Sequence, residues 1–183
     1  MQATPSWQPA AGITDLGRLI RDVADFPKPG IVFKDITPLL ADPAGLALAV
    51  ELMVQPFRGH QIDVVVGAES RGFIFGTALA NALSAGFVPI RKPGKLPAKT
   101  ARAQYTLEYG SDAMEIHADA LRSGEGVLLV DDVLATGGTL VACCQLIESL
   151  GARVHAIAVL IELVSLGGRD RLGGRHVHSV LRC

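Results

Sequence analysis

Cysteine is scarce: the 183-residue chain has three, Cys143, Cys144 and Cys183. They form neither a CxxC pair nor an even disulfide framework, which argues against a disulfide scaffold and for a reducing, cytoplasmic setting. Charge of either sign is not in excess. A formal net charge of −1 gives no general electrostatic case for nucleic-acid binding, so any anion site must be local. No apolar run approaches a membrane span, and no basic and apolar leader pattern opens the chain. His117 and His155 belong to no metal-spaced pair, and His176 and His178 have no acidic partner nearby, so no protein metal cage is expected. What is abundant is apolar: hydrophobic residues make up 49% and charged residues 19%, which excludes wholesale disorder and suits one domain over 1–183.

The richest segment runs from Val127 to Thr139. Val127-Leu128-Leu129-Val130 reads as a buried strand that ends on two carboxylates, Asp131 and Asp132. A small-residue turn follows, Ala135-Thr136-Gly137-Gly138-Thr139, and opens a helix expected to reach about Leu150. Backbone amides at such a helix start form a concave donor array for phosphate. The adjacent acids can accept hydrogen bonds from sugar hydroxyls or face a hydrated Mg²⁺. Phosphate at one end and a diol at the other suit a ribose 5-phosphate. Taken alone, the string also fits an ordinary strand end and glycine turn. It is not a Walker A loop, because no lysine follows the glycines. Cys143 and Cys144 fall inside the predicted helix and read as small packing residues.

Elsewhere the pattern alternates. Residues 1–12 read as a variable arm. A helix is expected after Thr14, carrying Leu16, Leu19, Ile20 and Val23 inward until the break at Pro27-Lys28-Pro29-Gly30. Ile31 to Ile36 is β-prone, and Asp42-Pro43 caps and starts a helix to about Phe57. Strands at 62–67, 87–90, 127–131 and 154–163 alternate with helices at 72–84 and after Thr139. Continuous Val/Ile/Leu runs separated by helices predict an α/β fold, a mainly parallel sheet flanked by helices. Ligands on such sheets sit beyond the carboxyl ends of the strands. Residues 68–72, 91 onward and 131 onward all fall there. The polar, basic stretch from Arg91 to about Gly110 reads as a lid or a disordered excursion.

Five blocks together resemble the adenine phosphoribosyltransferase family, within the type I phosphoribosyltransferases. They are Phe26 to Thr37; Glu69-Ser70-Arg71-Gly72-Phe73; Arg91-Lys92-Pro93-Gly94-Lys95-Leu96-Pro97; Tyr105 to Gly110; and Asp131 to Thr139. The resemblance implies a type I fold with a flexible lid at 91–110 and an N-terminal hood segment. It implies transfer of ribose 5-phosphate from phosphoribosyl diphosphate (PRPP) to adenine, giving AMP and pyrophosphate with Mg²⁺, in a homodimer.

On that resemblance Ala135, Thr136, Gly137, Gly138 and Thr139 cradle the 5-phosphate, and Asp131 and Asp132 lie near the ribose hydroxyls. Arg71, Arg91, Lys92 and Lys95 are pyrophosphate contacts, with Arg91 reaching across a dimer interface. Glu108 is a lid acid or base, and Tyr109 meets phosphate or sugar. Val32, Phe33, Lys34 and Leu163 contact adenine, although many relatives carry arginine where Lys34 stands. Mg²⁺ is expected through PRPP and water rather than a protein cage. A non-proline cis peptide is implied between Glu69 and Ser70. Two alternatives stay open: a transferase for another purine, and a PRPP-sensing regulator without catalysis.

Overall fold

The structure, a computed structural model, describes residues 13–107 and 110–183. Two compact units divide the chain, Met1–Leu52 and Met53–Cys183.

In the first unit a six-residue helix α1 (Ile13–Arg18) leads into strand β1 (Arg21–Ala24). The expected helix through Val23 is therefore cut short. Val23 pairs instead with Phe33 on the antiparallel strand β2 (Val32–Asp35). An apolar repeat this short fits either period, and ladder bonds to β2 decide for the strand. Helix α2 (Thr37–Ala41) follows, and then α3 (Pro43–Val54). Asp42 Oδ1 accepts from the Gly45 amide at 2.6 Å, the cap expected beside Pro43.

The second unit holds the sheet. Its strands are β3 (Val64–Ala68), β4 (Gly86–Ile90), β7 (Gly126–Leu134), β8 (Arg153–Glu162) and β9 (Val177–Arg182). Their order is β4-β3-β7-β8-β9, and every neighbouring pair is parallel. Helix α4 (Gly72–Leu83) links β3 to β4, and α5 (Gly138–Ser149) links β7 to β8. Chain order thus runs outward in opposite directions from β3 and β7. Their carboxyl ends mark the switch point where such sheets bind ligands. Val65, Val66, Val127, Leu128, Leu129 and Val130 are fully buried, as two-sided burial of a parallel sheet requires.

Strands β5 (Thr100–Leu107) and β6 (Gly110–His117) pair antiparallel, which the alternating pattern did not reveal. Ala101 pairs with Ile116 and Ala103 with Met114. Met114 and Ile116 are buried, so this face of the strand pair joins the core. The stretch after Arg91 is thus anchored at its far end by regular structure. Among the described residues no helix is long and apolar enough to cross a membrane.

Candidate active site

At the end of β7 the chain turns through Ala135 and Thr136 to Gly137, the N-cap of α5, at φ +81°. Glycine adopts that left-handed conformation without a Cβ clash. It also brings no side chain to cap the helix, so the first amides of α5 remain available to an anion. The following helix is apolar within: Cys143 and Cys144 are buried. Burial holds the Cys143 thiol well above its usual range and the Cys144 thiol up at about 11, which suits packing rather than nucleophilic chemistry.

Asp132 is 2% exposed. Its Oδ2 lies 2.8 Å from Arg71 Nε, an ion pair between the loop after β3 and β7, which runs on past the expected end at the carboxylates to Leu134. That oxygen nevertheless accepts no aligned hydrogen bond among the described residues. Asp131 Oδ1 accepts from the Asp132 amide at 2.9 Å, which holds the two carboxyls side by side. Burial, and then the neighbouring Asp132, raise the Asp131 carboxyl well above the usual carboxylate range. Burial also raises Asp132, with Arg71 opposing it. A cationic, hydroxyl-rich ligand would relieve both.

Gly72 makes the approach of the two loops possible. A Cβ there would stand 2.7 Å from the Val130 carbonyl oxygen and 3.2 Å from Asp131 Oδ1. Just before it, the Glu69–Ser70 peptide is cis, as the family resemblance implied. Glu69 then reaches to the third loop: its Oε2 accepts from the Lys92 amide at 2.8 Å, and its Oε1 lies 3.3 Å from Arg91 Nη2. Burial works against ionisation of Glu69, but the Lys92 amide and Arg91 outweigh it and leave the carboxyl below its ordinary value. Arg91 also bridges backbone to backbone with Glu115, in both directions at 2.9 and 2.7 Å. Lys92 Nζ is 3.2 Å from Asp112 Oδ2.

In the first unit, Val32 is 50% exposed. Phe33 meets the edge of Phe26, with ring centroids 5.1 Å apart. The Lys34 ammonium pairs with Asp22, 2.7 and 2.9 Å from its two oxygens. In the second unit Leu163 follows β8, and its amide donates to the Leu134 carbonyl at 2.9 Å.

The chain matches a family described as the phosphoribosyl transferase domain over residues 35–176. It is 58% identical over 167 residues to the adenine phosphoribosyltransferase of Rhodopirellula baltica, covering 91% of this chain and 81% of that one. The chain belongs to the adenine phosphoribosyltransferase family. Its fold is that of the solved adenine phosphoribosyltransferase from Rhodothermus marinus, at a TM-score of 0.90 and 52% identity over 93% of this chain and 98% of that one. The Saccharomyces cerevisiae adenine phosphoribosyltransferase, solved with an imino-altritol bisphosphate and adenine, gives a TM-score of 0.87 and 39% identity over 92% and 98%.

Within this family fold, Arg71, Asp131, Asp132 and the turn from Ala135 to Thr139 come together at the β3–β7 switch point. Arg91 and Lys92 join through Glu69. Among the described residues the Lys95 side chain donates to none of the turn; its carbonyl accepts from Arg91 Nη1 at 3.3 Å. Glu108 and Tyr109 lie outside the described residues. Sequence reasoning passed over Glu69 as a site residue, although it opens the Glu69-Ser70-Arg71-Gly72 block. It also passed over Gly168 and Arg171, which reach the turn from the loop after β8.

Proposed function

We propose that this chain transfers ribose 5-phosphate from PRPP to adenine, releasing pyrophosphate and AMP. One observation carries the proposal: two adjacent carboxylates, Asp131 and the buried Asp132, stand near the end of the central strand beside Arg71, separated from an uncapped helix start by residues 133–136. A sugar phosphate needs that order of groups. The amides of Gly137, Gly138 and Thr139, with the Thr136 and Thr139 hydroxyls, would bind the 5-phosphate. Asp131 and Asp132 would accept from the ribose hydroxyls. As pyrophosphate leaves, positive charge grows on the sugar, and a carboxylate field favours that transition state.

Arg71, Arg91, Lys92 and Lys95 are assigned to pyrophosphate, and Arg71 offers a planar fork that lysine lacks. Closure of the lid would exclude water from a reactive ribosyl centre. Glu108 is assigned to proton transfer at the imidazole side of adenine, and Tyr109 to phosphate or sugar. Val32, Phe33, Lys34 and Leu163 are assigned to the base by family resemblance. The Lys34–Asp22 pair leaves the Lys34 backbone as the part offered to adenine.

The donor set fits Mg²⁺. Asp131 and Asp132 supply hard oxygens, and the buried Oδ2 of Asp132 carries no aligned hydrogen bond among the described residues. These two carboxylates would receive the ion's waters, while PRPP oxygens supply its other ligands. Bound there, the ion would neutralise the pyrophosphate leaving group. A homodimer and a cytoplasmic setting complete the proposal, supported by the family resemblance and by the unpaired cysteines.

The test is to mix the purified protein with PRPP, Mg²⁺ and each purine base in turn, following nucleotide and pyrophosphate. AMP from adenine alone supports the assignment. Nucleotide from another purine instead would overturn the base assignment. PRPP binding without product would point to a regulator.

A further inference from the structure

We propose that the loop after β8 is a brace that sets the shape of the phosphate turn, with Gly168 and Arg171 as its positioning residues. The inference rests on reading Ala135 to Thr139 as the 5-phosphate cradle. The turn has little of its own to hold it: Ala135, Gly137 and Gly138 carry no polar side chain. Its shape must come from outside, and four consecutive residues are met by one segment. The Leu163 amide donates to the Leu134 carbonyl at 2.9 Å. A Cβ at Gly168 would stand 2.1 Å from the Ala135 oxygen and 2.9 Å from the Gly137 nitrogen, so backbone lies directly on backbone. The contact is reciprocal, since a Cβ at Gly137 would stand 2.6 Å from the Gly168 oxygen. Arg171 Nη1 donates to the Thr136 carbonyl at 3.2 Å.

That last bond acts on direction. The peptide is planar, with N–H and C=O on opposite edges. Holding the Thr136 carbonyl therefore fixes the direction of the Gly137 N–H, a first amide of the anion-binding helix start. The brace is itself anchored. Arg169 Nε donates to Glu162 Oε1 at 2.8 Å and Arg169 Nη1 to the Val177 carbonyl at 2.9 Å. Leu172 is fully buried. Arg175 Nη2 reaches Glu148 on α5 at 2.7 Å without touching the turn. The same segment begins at Leu163, a residue assigned to adenine, so the base-side chain and the phosphate turn share one support.

Steady-state kinetics of Arg171→Ala, Arg171→Lys, Gly168→Ala and Arg175→Ala test this. Arg171→Ala should raise the KM for PRPP about fivefold, with kcat and the KM for adenine within about twofold. Lysine keeps a donor for one carbonyl and should restore the PRPP KM to within about twofold of the wild type. Gly168→Ala should raise it more than tenfold; having no charge change, it separates bracing from attraction to phosphate. Arg175→Ala should lower the melting temperature without moving the PRPP KM. Wild-type PRPP KM in Arg171→Ala, or an equal rise in Arg175→Ala, overturns the brace. Arg171 is exposed, so its variants keep the test decisive if Gly168→Ala fails to fold. Calorimetric titration with ribose 5-phosphate separates the two levels. If Thr139→Ala leaves that binding unchanged, the cradle fails and the brace with it. If Thr139→Ala weakens binding and Arg171→Ala does not, only the brace fails.

Discussion

Arg71 Nε sits 2.8 Å from Asp132 Oδ2, joining the loop after β3 to the carboxylate pair two residues before the end of β7. The pair lies at the switch point of the parallel sheet. Arg71 holds Asp132 toward its ionised form against the cost of burial.

Asp132→Asn keeps the shape of the side chain and removes its charge. We expect kcat/KM for PRPP to fall by about 100- to 1000-fold, the scale of losing one group that stabilises transition-state charge. Steady-state rates against PRPP check this, and wild-type kinetics would remove Asp132 from the ribose site.

Glu108→Gln should depress turnover more than PRPP binding. The expected loss in kcat is roughly 100-fold, typical of removing a positioned acid or base. A turnover assay paired with PRPP calorimetry separates the two effects. Unchanged turnover would take Glu108 out of the chemistry.

Glu69 ties the loop of Arg71 to the segment after β4 through the Lys92 amide and Arg91. Glu69→Ala removes the acceptor of the Lys92 N–H. Exchange of that amide should quicken about tenfold, the scale of one charge-assisted hydrogen bond. Hydrogen exchange at residues 92–95 is the measurement, and unchanged protection would show that the Arg91–Glu115 bridge alone holds this segment.

Glu162 is 3% exposed and is held by Arg169, Ser179 and Arg182. The Arg169 hydrogen bonds lower its carboxyl to about 2, from an ordinary 4.5. With the folded value depressed, its stabilisation is fully present above the unfolded value. It is lost as pH falls from about 4.5 toward about 2. Arg169→Ala should cost on the order of 1–2 kcal/mol at neutral pH, because the carboxylate loses its main partner but keeps Ser179 and Arg182, and the part-exposed guanidinium is screened. Urea unfolding at pH 7 and pH 3 should show the gap between wild type and variant narrowing at the acid end. A gap independent of pH would mean that Arg169 acts by packing alone.

Legibility followed the distance over which the responsible forces act. The strands β3 and β7 and helix α5 were readable because a continuous apolar run between turn residues has few other uses. The Asp42 cap was readable because its partner, Gly45, is three residues away. The helix through Val23 was misjudged because four apolar residues fit two periods, and pairing with β2 decided between them. The β5–β6 pair escaped because its inward residues include the small Ala101 and Ala103, whose burial depends on α5 and the core beneath them.

The sequence by itself determined the chemistry available: two adjacent acids, a glycine turn that cannot cap its own helix, and Arg71 four residues after a buried strand. Tertiary structure decided which of these meet. Parallel strands are joined by crossovers rather than tight turns, so residues 71 and 132, far apart in the chain, come together only when β3 and β7 lie side by side. The same holds for Gly168 against Ala135 and Gly137 and for Glu69 against the Lys92 amide. Those contacts depend on backbones approaching to van der Waals distance across the sheet's carboxyl edge. Only the packed fold brings them that close.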